Sequence, residues 1–265
     1  MCIRDSSAII KAYRSESTYN LNERQLVLYD KYTKILEEII SPNQSDIEKE
    51  IAIHDYLVDN INYVDTGDSS YNAYSALING IAVCSGYTEC FKTLLDMLGI
   101  ENATISGEAG GQQHIWNVVN LDNHWYHVDV TWDDPVGSSS DYIDHSYFNI
   151  SADDMALDHT WDRSRYSAYE KCGAKYSYCR YKKLPLISNV NQLNKLIYST
   201  VKNKTAHIEF TTTYNADLKE AISRTGQQLS YSYKNIDRIN YTLYSVTFTY
   251  LSLIHISEPT RRSYI

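Results

Sequence analysis

The chain has 265 residues, 43% of them hydrophobic, and a formal net charge of −9. That length buries one sizeable core, or one core and a smaller companion. The acidic balance argues against polyanionic partners, so neither nucleic acid nor an anionic membrane surface is expected.

Both ends carry an oddity. Met1-Cys2-Ile3-Arg4-Asp5-Ser6 can be encoded by a DNA string whose reverse complement reads Leu-Ser-Leu-Ile-His and then Ile or Met, and Leu251–Ile256 is Leu-Ser-Leu-Ile-His-Ile. An inverted repeat at the two ends reads as a sequencing adapter translated as protein. Residues 1–6 and 251–265 are therefore set aside as non-native. Removing Arg4, Arg261 and Arg262 together with Asp5 and Glu258 takes the net charge from −9 to −10. Cys84, Cys90, Cys172 and Cys179 remain as native cysteines. On this reading the native N-terminus is missing, and the fragment contains no membrane segment.

Residues 7–44 form a helical lead-in. Residues 7–20 have no clear period and read as the tail of an upstream strand or a linker. Asn22 to Ile40 repeats at helical spacing, with Leu28, Tyr32, Ile35, Leu36 and Ile39 on one face. Ser41-Pro42-Asn43-Gln44 breaks it. Ser45 with Glu48 makes a capping box that starts a helix running to about Asn60. Its stripe is Ile47, Ile51, His54, Val58 and Ile61, so His54 is read as a core histidine with satisfied nitrogens. Asn62 to Ser70 is an exposed connection.

Tyr74 to Gly80 is a short helical piece with a glycine stop. Tyr87, Phe91, Leu94, Leu95 and Leu98 then recur at helical spacing up to Gly99. Cys84 stands at the first turn of this helix, where unpaired N–H groups and the macrodipole favour negative charge. Position alone fits a nucleophile or a core cysteine equally well.

The downstream pattern decides between them. Ala103 to Ser106 is a short strand, and Gly110-Gly111 is a turn, either a mobile one beside a cleft or a plain surface turn. His114 to Val119 and Trp125 to Thr131 alternate like strands around a tight turn at Asp122-Asn123. If Leu121 faces His124, then His114 faces Thr131 and Trp116 faces Asp129. His114 and Asp129 then share one face, diagonal to each other. A slip of one residue would separate them. A nucleophile, a histidine and a carboxylate in that relation make a thiol acyl-transfer triad.

Tyr74-Ser75-Ala76-Leu77, Val83-Cys84-Ser85-Gly86-Tyr87, His114-Ile115-Trp116-Asn117 and Trp125 to Pro135 together resemble the bacterial transglutaminase-like superfamily, which shares a papain-like Cys-His-Asp arrangement. The resemblance covers roughly residues 45–170. It implies Cys84 as nucleophile, His114 as base and Asp129 as the orienting acid. Tyr74 and Trp116 are the candidates for a second oxyanion donor or a substrate contact. The implied fold is α+β: a helix carrying the cysteine, packed on an antiparallel sheet carrying the histidine and the acid. This core is placed at residues 45–185. The implied activity is acyl transfer or hydrolysis at protein or peptide amides through a Cys84 thioester, with a catalytically idle binding module as the alternative. Small bacterial members are often exported, so an extracytoplasmic location is expected.

After the hairpin, Gly137 to Asp141 reads as loop, Ser146 to Ile150 as a strand, and Ser151 as a helix cap. Asp133, Asp134, Asp141, Asp144, Asp153, Asp154 and Asp158 read as solvated acidic surface, lacking any calcium-loop pattern. His124, His127, His145 and His159 lack zinc spacing with the cysteines, so no metal or cofactor is implied. Cys172 and Cys179 flank a Tyr-rich loop and are compatible with a small disulfide or with free thiols. Cys90 reads as core. Residues 186–250 form a small α+β module: helices at 190–201 and 216–223, and strands at 206–212, 229–233 and 241–250.

Overall fold

The computed structural model describes residues 3–67, 70–134 and 142–250. The chain divides into two compact units between Lys183 and Leu184.

The first unit begins with α1 (Ile3–Ser15), where the sequence pattern predicted a strand tail or linker. Among the described side chains of this helix only Ile9 and Ala12 are buried to near completion, too few to make a periodic signal. Its other anchors are polar: Ser6 Oγ donates to Glu89 Oε1 (3.2 Å) and the Arg14 guanidinium to the Asp96 carbonyl (2.7 Å). The first turn of α1 includes Ile3 to Ser6, part of the stretch set aside as non-native. Residues 1–2 and 251–265 lie outside the described residues. Next come α2 (Glu23–Ile39), capped by Asn22 with Gln25 answering, and α3 (Asp46–Asn60), where Glu48 accepts from the Ser45 backbone N–H (2.7 Å). Leu28, Tyr32, Ile35 and Leu36 are buried along α2, and Ile47, Ile51, His54 and Leu57 along α3.

The stretch expected to be an exposed connection contains β1 (Asn62–Tyr63), which pairs in parallel with β2 (Ile81–Ala82). Between them, Ser75–Asn79 is a π-helical turn closed by left-handed Gly80. Then α4 (Cys84–Met97) packs its Tyr87, Phe91, Leu94 and Leu95 face into the core. It lies against β3 (Asn102–Ala109) and β4 (Gln112–Leu121), which turn at Gly110-Gly111. With β5 (His124–Val128) and β6 (His159–Thr160) they form an antiparallel sheet in the order β5-β4-β3-β6.

The pairing of β6 depends on Gly107. A Cβ there would sit 2.1 Å from the Thr160 carbonyl oxygen and 3.0 Å from the Trp116 ring. Only glycine lets the two backbones approach so closely.

Ser146 to Ile150 is a turn and not the predicted strand. Asn149 takes a positive φ of 55°, which breaks extension, and buries its amide against Glu50. Ser151 does cap the short α5 (Ala152–Met155). The predicted loop at Gly137 to Asp141 lies outside the described residues. After α6 (Tyr178–Tyr181) the first unit ends.

The second unit carries β7 (Leu186–Ile187), α7 (Val190–Lys202), β8 (His207–Thr212), α8 (Leu218–Ser223), β9 (Leu229–Asp237) and β10 (Thr242–Tyr250). Its sheet runs β7-β8-β10-β9, with Leu193, Ile197, Phe210, Val246 and Phe248 in its core. No described helix is long and apolar enough to cross a membrane.

Candidate active site

Cys84 is the first residue of α4, preceded by Val83 in an extended conformation. The helix start is wedged tightly. A Cβ on Gly86 would meet Ala82 Cβ at 2.7 Å and the Asn72 carbonyl oxygen at 3.3 Å. The thiol itself stays partly accessible, whereas Cys90 is fully buried and its thiol pushed up by burial.

The β4–β5 ladder has the expected register, from Leu121 opposite His124 to Asn117 opposite Val128. The ladder then stops one residue before Asp129, so the predicted pairs His114–Thr131 and Trp116–Asp129 are not formed. The chain turns because the Asp129 side chain turns it. Its Oδ1 accepts the backbone N–H groups of Thr131 (3.0 Å) and Trp132 (3.2 Å), and its carbonyl accepts from Asp133 N (3.2 Å). Its Oδ2 is left for His114, whose Nε2 donates to it at 2.6 Å. The two side chains therefore meet beyond the end of the ladder.

Burial would raise the Asp129 carboxyl, but the hydrogen bonds from His114 and His159 outweigh it and hold the group at about 2. Burial would likewise lower His114, yet the hydrogen bonds to Asp129 and Cys84 lift it to about 10. His114 thus uses one nitrogen on Asp129 and leaves Nδ1 for the Cys84 sulfur. Both residues line a cleft of about 420 Å³ together with Tyr63, Gly110, Gln113 and Trp132. Nearby, the Tyr87 hydroxyl donates to Asp134 Oδ2.

Two sequence-based candidates fall elsewhere. The indole N–H of Trp116 donates to His127 Nδ1 (3.0 Å), and the ring is fully buried, so it has no donor left for an oxyanion. Tyr74 lies under the Arg24 guanidinium, 4.5 Å from its ring centre, and does not line the cleft. Tyr63 does line it, with its hydroxyl kept protonated by burial and by the neighbouring Cys84. The two-residue strand holding Tyr63 gave no periodic signal in the sequence.

His159 was also missed as a site residue. Its Nε2 lies 3.0 Å from the same Asp129 Oδ2 that binds His114. The acidic-surface reading fails for Asp133, which is fully buried and bonded to His54 Nε2 (3.2 Å), with Asp55 on the other His54 nitrogen (3.0 Å). His54 is therefore a core histidine with both nitrogens engaged. Cys172 and Cys179 are not joined in a disulfide, and Cys172 Sγ accepts from Ala152 N (3.1 Å).

Two trios bring potential metal-ligand atoms within 4.8 Å of one another among the described residues: His54, Asp55 and His145, and His114, Asp129 and His159. Tetrahedral zinc holds its ligand atoms roughly 3.3 Å apart. The 2.6 Å contact between His114 and Asp129 is the spacing of a shared proton.

Residues 33–130 match the model of the transglutaminase-like superfamily. This stretch is a transglutaminase-like core. It contains Cys84, His114 and Asp129 but not His159. Comparison with curated proteins gave no match. Among solved structures, a TGase is 18% identical (TM-score 0.39), covering 52% of this chain and 40% of its own. A candidate cysteine protease from Cytophaga hutchinsonii is 18% identical (TM-score 0.34), covering 38% and 37%. A candidate protease from Parabacteroides distasonis is 10% identical (TM-score 0.35), covering 94% and 53%. The chain thus spans about half or less of the length of these relatives.

Proposed function

We propose that the transglutaminase-like core is a thiol enzyme acting on protein or peptide amides. The observation that carries this reading is His114, with one nitrogen on a buried carboxylate and the other toward a cysteine at a helix N-terminus, the histidine and cysteine both at the wall of an accessible cleft. The Cys84 proton resides on His114, as its imidazolium, when sulfur attacks the amide carbonyl. The carbonyl oxygen becomes an oxyanion beside the Cys84 backbone N–H, one of the donors that α4 leaves unpaired at its start. Tyr63 replaces Tyr74 and Trp116 as the candidate for the second donor. Collapse expels the amine with the proton from His114, leaving a thioester on Cys84. Water or an amine then attacks, giving up its proton to His114, which returns it to the sulfur.

Hydrolysis stands ahead of cross-linking in this proposal, because the cleft is open beside Gly110 and gives water access to the thioester. The test is a peptide library offered with and without a labelled primary amine, against Cys84→Ala. Cys84-dependent hydrolysis exceeding amine incorporation is the expected result. Incorporation exceeding hydrolysis would make the enzyme a transglutaminase. Turnover identical in Cys84→Ala would leave the binding-module reading standing.

A further inference from the structure

We infer that His159 is a positioning residue of this site, holding the same Asp129 oxygen as His114 and tuning His114 by its charge. The inference rests on the thiol-enzyme reading and concerns a residue beyond the segment shared with the superfamily model.

Asp129 Oδ2 accepts two imidazole N–H groups, at 2.6 Å from His114 and 3.0 Å from His159. The other nitrogen of His159 lies 2.6 Å from Asp158 Oδ1, and Tyr147 OH donates to Asp158 Oδ2 at 2.6 Å. An ionised carboxylate only accepts, so a ring with a carboxylate oxygen at each nitrogen carries both protons. His159 is fully buried, packed against the rings of Trp132 (centroids 4.5 Å) and Trp116 (5.1 Å). It is a desolvated cation whose ring centre is 5.6 Å from that of His114.

Two consequences follow for the chemistry. Asp129 stays ionised and fixed while His114 gives up and regains its proton, because a second donor holds the same oxygen. The His159 charge also opposes a proton on His114, so His114 is less basic than an imidazole with a carboxylate of its own. The other charged or titratable groups facing this trio are Cys84 from α4, Tyr63 from β1, Asp134 after the turn and Asp158 before β6. His127 from β5 is held neutral by burial, accepting the Trp116 N–H, and Arg163 stacks beyond Trp161. None of them is a second cation on Asp129. The close approach at Gly107 seats β6, and with it His159.

The experiment is the pH dependence of Cys84 alkylation by iodoacetamide, which needs no substrate. Wild type, His159→Gln and Asp158→Asn are compared, with Cys84→Ala defining the background. Gln keeps an N–H for Asp129 but removes the charge. Its alkaline limb should move up by about one pH unit, as expected for losing a unit charge at this separation. Asp158→Asn, at a half-exposed site that leaves the ring in place, should move it the same way by less. Limbs unmoved in both variants, with or without a uniform fall in rate, would make His159 a structural histidine and overturn the inference. Wild-type labelling at the Cys84→Ala background would instead overturn the thiol-enzyme reading, and this inference with it.

Discussion

Replacing Asp129 by Asn tests the arrangement most directly. His114 is held at about 10 against a usual 6.5 despite burial, which favours its imidazolium by about 5 kcal/mol. An Asn that keeps its oxygen on the Thr131 and Trp132 N–H groups turns its NH2 toward two imidazole N–H donors. His114 must then invert its tautomer, placing a proton on the nitrogen that faces Cys84. A rate loss on the order of 10³- to 10⁴-fold is expected, as in other triads so altered. Stability should also fall, because two charge-assisted hydrogen bonds end on this carboxylate, by about 2–4 kcal/mol. The pH dependence has a definite sign. Asp129, depressed to about 2, stabilises the fold above its usual 3.8 and ceases to do so as pH falls through 2. His114, raised to about 10, stabilises below 6.5 and ceases to do so as pH rises through 10. The stability gap between wild type and Asp129→Asn should therefore be widest between about pH 4 and 6.5 and narrow on both sides. Urea melts from pH 2 to 10, read beside iodoacetamide kinetics at Cys84, measure both. A gap flat across pH, or alkylation unchanged in rate and profile, would refute the reasoning.

Gly107→Ala should displace Thr160, and the signature is lost Asp129–His159 coupling in a histidine NMR titration; unchanged His159 resonances would contradict it. Glu50, fully buried and pushed up to about 8, holds its proton in the fold between pH 4.5 and 8. Stability should thus decline with rising pH across that window by up to about 1.4 kcal/mol per unit, and Glu50→Gln should flatten the decline in melts at pH 5 and 8. Iodoacetamide should label Cys84 in the native protein and reach Cys90 only on unfolding, as mass spectrometry of the labelled peptides would show. Tyr63→Phe should lower turnover by about 10- to 100-fold with little change in Cys84 alkylation if its hydroxyl serves the oxyanion; equal turnover would remove it from the site.

What the sequence made legible was periodic. The α4 face, the buried stripes of α2 and α3, and the β4–β5 register all follow from spacing that repeats over several turns or pairs. What it hid was short or one-sided. β1 and β6 have two residues each and no period, yet they supply Tyr63 and His159. α1 buries too little apolar surface to declare itself. Asp133 looked like part of an acidic run because a charge count cannot see the His54 that faces it from α3, 79 residues away. Trp116 failed as an oxyanion donor for a similar reason: alternation placed its ring on the correct face, but only the fold reveals His127 already accepting its N–H.

The end of the ladder at Val128 bears on the chemistry. Had β5 continued, Asp129 would have been a strand residue, with no turn for its Oδ1 to brace. By leaving the sheet there, it spends Oδ1 on the Thr131 and Trp132 N–H groups and keeps Oδ2 for the two histidines. One buried carboxylate thus fixes a turn, orients His114 and holds β6 through His159. These roles share four hydrogen bonds on two oxygens, so they cannot be energetically independent. Removing His159 should cost less in an Asp129→Asn background than in wild type. Strict additivity would mean the carboxylate serves its partners separately.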